Sequence, residues 1–290
     1  MKQYLDLLED VLTNGEERND RTGVGTISVF DRQIKFDMAD GFPAVTTKKL
    51  AFKAMMGELL WFMNGETELQ RLRYRTFGDA WCDKTTIWDA NQKDYVKKQF
   101  GLDSTTTDDC GLIYGHLWHL DNQFWSVVDR ISKNPTDRRL IVNSWNPEIV
   151  NHPHKLALPP CHYAFQFYVR EGKYLDLKWH QRSCDAFLGC SFNIASYAAL
   201  LHIVSAITGL VPGILTGDLG DVHIYKNHIE QVKEQLTRQP KPLPEFVLPE
   251  QLSKPLSAQV AEVIIDNLTS KDFSLKNYEC YPAIKAEMAV

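Results

Sequence analysis

Helix-period and strand-like segments interleave along this chain with nothing between them that reads as a linker, and that alternation restricts it to a mixed helix-and-sheet fold. Apolar residues recur at spacings of three and four over Gln3 to Leu12, Phe52 to Met63, Phe124 to Lys133, Ile194 to Thr208 and His228 to Gln239, which predicts helices. β-branched and aromatic residues gather over Thr26 to Phe30, Arg139 to Trp145, His162 to Tyr168, Tyr174 to Gln181 and Glu245 to Leu248, which predicts one largely buried sheet. With no repeat, low-complexity tract or compositional break, the expected organisation is a single α+β domain over residues 1–290. Residues 66–109, polar and Ser/Thr-rich at their end, read as a surface insertion with some helix. Pro240, Pro242, Pro244 and Pro249 mark an extended connector, and residues 278–290 a mobile C-terminal tail. Its apolar end, Met288, Ala289 and Val290, is unusual unless it packs on something.

The net charge of -5, with both signs interspersed, gives no global field for nucleic acid or an acidic membrane, so any anion site must be local. The start MKQYLDLLED is an amphipathic helix pattern unlike a leader peptide, and no apolar run approaches the roughly 20 residues of a membrane span, which makes the cytoplasm the expected location. Six cysteines are scattered without a C-x-x-C pair or a companion His cluster, which argues for reduced thiols and against a metal site.

One of them, Cys161, follows Pro159 and Pro160 and precedes a strand-like run, so its thiol rides on rigid backbone. The thiolate is the nucleophile, and a neighbouring positive charge is needed to lower its pKa from about 8.5. Arginines stand in tight settings at Arg21, Arg138, Arg139 and Arg182, and Ser183 adds a hydroxyl beside the last. A guanidinium fork matches phosphate oxygens, so together they would make a phosphate clamp; each taken singly also reads as an ordinary surface charge. Glu58, inside the apolar stretch ELLWF, is costly to bury unless it handles protons, and otherwise belongs on a solvent face.

The stretches NDRTGVGT, GFPAVTTKK, ELLWFMNG, IWDAN, TDRRLIV, SWNP, ALPPCH, QRSCDAFLG, FNIASYA, GDVHIYKNH and the terminal MAV, in this order from Asn19 to Val290, closely resemble the thymidylate synthase family. The resemblance implies that Cys161 adds to C6 of the uracil of dUMP and makes C5 a nucleophile toward the one-carbon unit of 5,10-methylenetetrahydrofolate, with no metal. It implies a large mixed β-sheet covered by helices, whose exposed face packs against its copy in a homodimer.

By motif position, Arg21, Gln181, Arg182 and Ser183 would bind the nucleotide, with Arg138 and Arg139 reaching the phosphate from the other subunit. Asn193 would read the uracil edge, and His223 with Tyr225 the deoxyribose 3′-hydroxyl. An amide donates and accepts at once, which suits N3–H and O4 of uracil, whereas a carboxylate suits cytosine. Glu58 would manage protons near the pyrimidine O4, Tyr114 would help remove the C5 proton, and Asp185 would hold the pterin. Ile87, Trp88, Gly189, Phe192 and Val290 would meet the folate, with Lys48 or Lys49 at its glutamate tail. Without the resemblance, Trp88 reads as core and both lysines as solvent-facing.

Several positions depart from the usual synthase pattern. Where that pattern reads G-P-x-Y-G-x-Q-W-R, this chain has Gly111-Leu112-Ile113-Tyr114-Gly115-His116-Leu117-Trp118-His119. His180 stands before Gln181-Arg182-Ser183 in place of tyrosine, and Cys190-Ser191 replaces a leucine-proline pair before Phe192-Asn193. Deoxycytidylate hydroxymethylases of the same family depart at similar places. The changes at Leu117, His119, His180 and Ser191 therefore predict a dUMP hydroxymethylase, in which water adds to C5 methylene, with His119 or His180 positioning it. The alternative is thymidylate synthase, forming dTMP and dihydrofolate. A catalytically silent nucleotide-binding protein is disfavoured by the joint presence of Cys161, Glu58, Tyr114, Asn193 and the clamp arginines.

Overall fold

The computed structural model describes residues 1–20, 23–101, 107–152 and 154–287. The first half carries α1 (Lys2–Asn14), β1 (Glu16–Arg18), β2 (Thr26–Asp37), α2 (Phe52–Met63), α3 (Leu69–Phe77), α4 (Asp89–Phe100), α5 (Tyr114–His119), α6 (Gln123–Lys133), β3 (Ile141–Asn143) and α7 (Pro147–Val150). The second half carries β4 (His162–Arg170), β5 (Tyr174–Asp185), α8 (Cys190–Thr208), β6 (Val211–Tyr225), α9 (Ile229–Leu236), β7 (Glu245–Val247), α10 (Ala258–Ile265) and β8 (Ser274–Lys276).

The main sheet has six strands in the order β1-β2-β6-β5-β4-β3. Its pairs are antiparallel except β5 with β6, so the sheet is mixed as expected. Parallel neighbours need a crossover connection, and α8 supplies it, running back over β5 and β6. Apolar on all sides, α8 is buried along most of its length; this is the one described helix long and apolar enough to cross a membrane, and the core accounts for that character. Gly209, at φ 73°, ends it in the left-handed region that glycine enters without steric cost.

Residues on β5 alternate in burial, with Leu175, Leu177, Trp179 and Gln181 inward under α8 and Lys178, His180 and Arg182 on the opposite face. The predicted helices are present, α2 with the bounds the spacing gave and α9 shorter than expected. The longest strand, β6, was not expected; it carries Pro212, Gly213, Gly217 and Gly220, residues that favour turns. A Cβ on Gly213 would lie 2.1 Å from Asp176 Oδ1, and one on Gly217 would lie 2.4 Å from the Trp179 ring. These glycines make room for β5 rather than turn the chain. The run at Glu245 forms a strand, but in a separate two-stranded sheet of β7 and β8.

The stretch 66–109 divides in two. α3 is packed against α2, with Leu69, Leu72, Arg75 and Thr76 buried, and Arg75 held by Glu66 and the Asp266 and Leu268 carbonyls. Beyond it, Trp81, Ile87 and Phe100 are exposed. The tail is tied down through its described part: the backbone N–H of Tyr281 donates to the Thr46 carbonyl at 2.8 Å, and His228 Nε2 lies 2.7 Å from the Glu287 carbonyl. The polar run at 102–106 and the terminal residues 288–290 lie outside the described residues.

Candidate active site

Cys161 sits where the diproline turn meets β4, and its backbone is held from two sides. Its N–H donates to the Tyr114 hydroxyl at 2.7 Å, and its carbonyl accepts from the Arg182 N–H at 2.8 Å. The Arg182 guanidinium grips the same turn, donating from Nε to the Pro160 carbonyl at 2.9 Å and from Nη2 to that of Pro159 at 3.3 Å, and lies 5.5 Å from the Trp145 ring centre. Burial raises the Cys161 thiol above its ordinary value, and the Arg182 charge opposes this without reversing it. The expectation of an arginine-lowered thiol is thus corrected: the arginine is there, and desolvation outweighs it.

Tyr114 opens α5 and lies flat on the His162 ring, centres 4.2 Å apart and planes 15° apart. His162 Nδ1 is 2.8 Å from the Tyr197 hydroxyl, and burial lowers its pKa to about 3, so the ring is neutral. The Tyr114 ring also meets Trp88 edge-on at 6.2 Å. Trp88 is buried, as it reads without the resemblance, and its indole N–H donates to Glu58 Oε1 at 2.6 Å. Glu58 is buried on the inner face of α2, not on a solvent face. Desolvation raises its pKa to about 7, with the Trp88 hydrogen bond pulling the other way.

Asn193 lies in the first turn of α8, and its Oδ1 accepts from Gln181 Nε2 at 3.2 Å. Asp185, at the end of β5, accepts the backbone N–H groups of Phe187 and Leu188 on Oδ1, both at 3.0 Å, which shapes the turn into α8. Lys48 is buried, contrary to the solvent-facing reading, with its ammonium on the Phe187 carbonyl and 3.9 Å from that ring. Burial lowers its pKa to about 8, with Asp185 opposing the shift. Lys49 is exposed. Gly189 starts α8 where a Cβ would press within 3.3 Å of the Asp185 carbonyl, and Phe192 packs on the core.

Ser183, His223 and Tyr225 line one cavity of about 290 Å³ together with Arg18, Asn19 and Asp221. The register brings them together: Ser183 pairs with Asp221 and Asp185 with His223 across β5 and β6. Asp221 Oδ1 sits 3.0 Å from His223 Nδ1 and accepts from Ser28 Oγ at 2.8 Å, and Arg18 Nη1 is 3.3 Å from its Oδ2. These contacts, the His223 one foremost, hold the Asp221 carboxyl below its ordinary range. The His223 ring thus faces the carboxylate through Nδ1.

Not every expected residue joins this constellation. Arg138 and Arg139 are exposed, and Arg139 donates to Asp137 at 2.9 and 3.2 Å. Ile87 is exposed. Arg21 and Val290 lie outside the described residues. His119 lies 2.9 Å from the Met63 carbonyl, and His180 lies 2.9 Å from Asp218 on the outer sheet face, so neither has a described contact with Cys161. Sequence reasoning overlooked Arg18, Asp221 and Ser28, which have no distinctive spacing, and Tyr197, which reads as one more apolar position of α8.

The family model described as "Thymidylate synthase" matches residues 2–290. The chain is 48% identical over 297 residues to "Thymidylate synthase" of Enterobacteria phage T4, and 46% identical over 295 residues to "Probable thymidylate synthase" of Escherichia phage T5, with full coverage of both partners in each case. The crystal structure of thymidylate synthase from T4 phage superposes with a TM-score of 0.90 at 47% identity, again covering both chains completely.

Proposed function

The chain belongs to the thymidylate synthase family, an enzyme family of folate-dependent one-carbon transfer to C5 of dUMP, and from that premise we propose that it forms dTMP and dihydrofolate rather than 5-hydroxymethyl-dUMP. The observation that carries the choice is the identity of the full-length relatives. His119 is engaged by the Met63 carbonyl, and His180 by Asp218 on the sheet face that also carries Arg182. The full-length relatives at 46% and 48% identity bear synthase names, which supports the same product.

In this reading Cys161 Sγ adds to C6 of uracil, and C5 becomes the carbon nucleophile. Burial raises the thiol above its ordinary value; phosphate bound beside Arg182 orients the ring over a nucleophile already fixed by Tyr114 and the diproline turn. Asn193 reads the pyrimidine edge, and His223 Nε2 accepts the 3′-hydroxyl while Tyr225 flanks it. Arg182 and Ser183 bind phosphate with Arg21, and Gln181 acts through Asn193 rather than on the nucleotide. Glu58, near pKa 7, exchanges a proton with O4 at neutral pH, and Tyr114 assists loss of the C5 proton.

The cosubstrate 5,10-methylenetetrahydrofolate supplies the carbon unit and, on the synthase route, the hydride. Asp185 fits a donor-bearing heterocycle, because both described hydrogen bonds to its side chain go to Oδ1 and leave Oδ2 for a ligand. Trp88, Gly189, Phe192, Ile87, Lys48 or Lys49 and Val290 are the further folate contacts of this reading. We also propose a cytoplasmic homodimer in which Arg138 and Arg139, exposed here, complete the partner's phosphate site, each subunit working as one domain.

Cys161→Ala tests the nucleophile: dUMP binding should survive within a few-fold, because the phosphate and sugar contacts do not use the thiol, and turnover should vanish. Substantial turnover by this variant would overturn the assignment.

A further inference from the structure

Asparagine at position 193 does not by itself select uracil. The amide presented one way offers a carbonyl to N3–H and an NH₂ to O4, which reads uracil. Flipped, it offers NH₂ to N3 and a carbonyl to the N4 amine, which reads cytosine. Selectivity therefore requires something that fixes the flip. Among the described residues, the partner of the Asn193 side chain is Gln181 Nε2, at 3.2 Å from Oδ1.

The Gln181 amide is itself held by groups that admit only one orientation. The Trp179 indole N–H, donor only, meets Gln181 Oε1 at 3.1 Å. The Ser183 carbonyl, acceptor only, meets Nε2 at 3.0 Å. Carbonyl toward Trp179 and NH₂ toward Ser183 leave an N–H for Asn193, which must answer with its oxygen. The indole cannot drift from this position: Trp179 is fully buried, its ring stacks on Tyr197 at 5.4 Å and 8°, and Gly217 opposite it on β6 leaves room for no more than the ring.

We propose that Trp179, which reaches no ligand itself, is a positioning residue for pyrimidine selectivity. Its N–H locks Gln181, and Gln181 locks the Asn193 amide in the orientation that accepts uracil and refuses cytosine. The proposal rests on the dUMP reading above and extends it to a residue one step behind the base.

The test is titration calorimetry of dUMP and dCMP binding to the parent chain, Trp179→Phe and Trp179→His. Phenylalanine keeps the stacked ring and removes the donor, whereas histidine restores a ring N–H. The preference for dUMP over dCMP should fall on the order of tenfold in Trp179→Phe, the effect of about one hydrogen bond, and recover at least partly in Trp179→His. If Trp179→Phe does not fold, Gln181→Glu reads the relay from its next link: an acceptor-only carboxylate calls for the Asn193 NH₂ and should turn the preference toward dCMP. An unchanged preference in the variant that folds, or equal loss of both nucleotides, overturns the relay while leaving the dUMP reading intact. A parent chain that does not prefer dUMP overturns that reading and the relay with it.

Discussion

The Trp88 indole N–H donates to Glu58 Oε1 at 2.6 Å, which ties the segment before α4 to a carboxyl buried in the middle of α2. Two residues placed separately by motif thus form one unit. The hydrogen bond limits, without cancelling, the desolvation that raises Glu58 to about 7.

The pH dependence of stability follows from that value. Glu58 is raised from 4.5 to about 7 on folding, so its contribution is fully present below pH 4.5 and is lost as pH rises through about 7. Glu58→Gln cannot ionise and should therefore gain on the parent between about pH 5 and about pH 8, by up to roughly 3 kcal/mol. Urea unfolding at the two pH values measures this, and parallel stabilities would contradict it. The same variant should lose roughly 10²-fold or more in kcat, as expected for a missing proton carrier.

Arg182 is the charge that opposes desolvation of Cys161. In Arg182→Gln the thiol should react with iodoacetamide at a higher pH midpoint, followed at the Cys161 peptide by mass spectrometry. A midpoint that stays in place would mean the guanidinium serves only to brace the diproline turn.

Asp221 orients His223 through Nδ1 and is not expected to touch the reacting carbons. Asp221→Asn weakens that charge-assisted contact, so KM for dUMP should rise by roughly tenfold while kcat changes little. A fall in kcat alone would place Asp221 in the chemistry instead.

At the α2–α3 contact, a Cβ on Gly57 would lie 2.1 Å from Thr76 Oγ1 and 2.7 Å from its Cα. Because backbone must move, Gly57→Ala should destabilise the fold by roughly 1–3 kcal/mol, exceeding the roughly 1 kcal/mol that alanine gains in a helix. Thermal unfolding measures the sign directly.

Helices α1 and α6 are legible because they carry strong apolar periods, α2 and α8 because long apolar runs suit buried helices, and Cys161 stood out because the two prolines before it fix the backbone. The sequence hid β6, since glycine spacing that serves close packing looks like turn signal until the opposing Asp176 and Trp179 are in view. It also left Lys48 on the surface, because burial of a lysine depends on a long-range partner, the Phe187 carbonyl. The Cys161 thiol was expected to be lowered by an arginine, and burial raises it instead, as desolvation cannot be counted from residue spacing. The departures at His119 and His180 suggested a rebuilt water site; the full-length relatives named as synthases weigh against it, and the two rings are engaged by Met63 and Asp218.

The most direct measurement is mass spectrometry of the nucleotide product after incubating the purified chain with dUMP and 5,10-methylenetetrahydrofolate, with dihydrofolate followed by absorbance. The account predicts a methyl group on C5 and one dihydrofolate for each dUMP consumed. A hydroxymethyl product without dihydrofolate would contradict it.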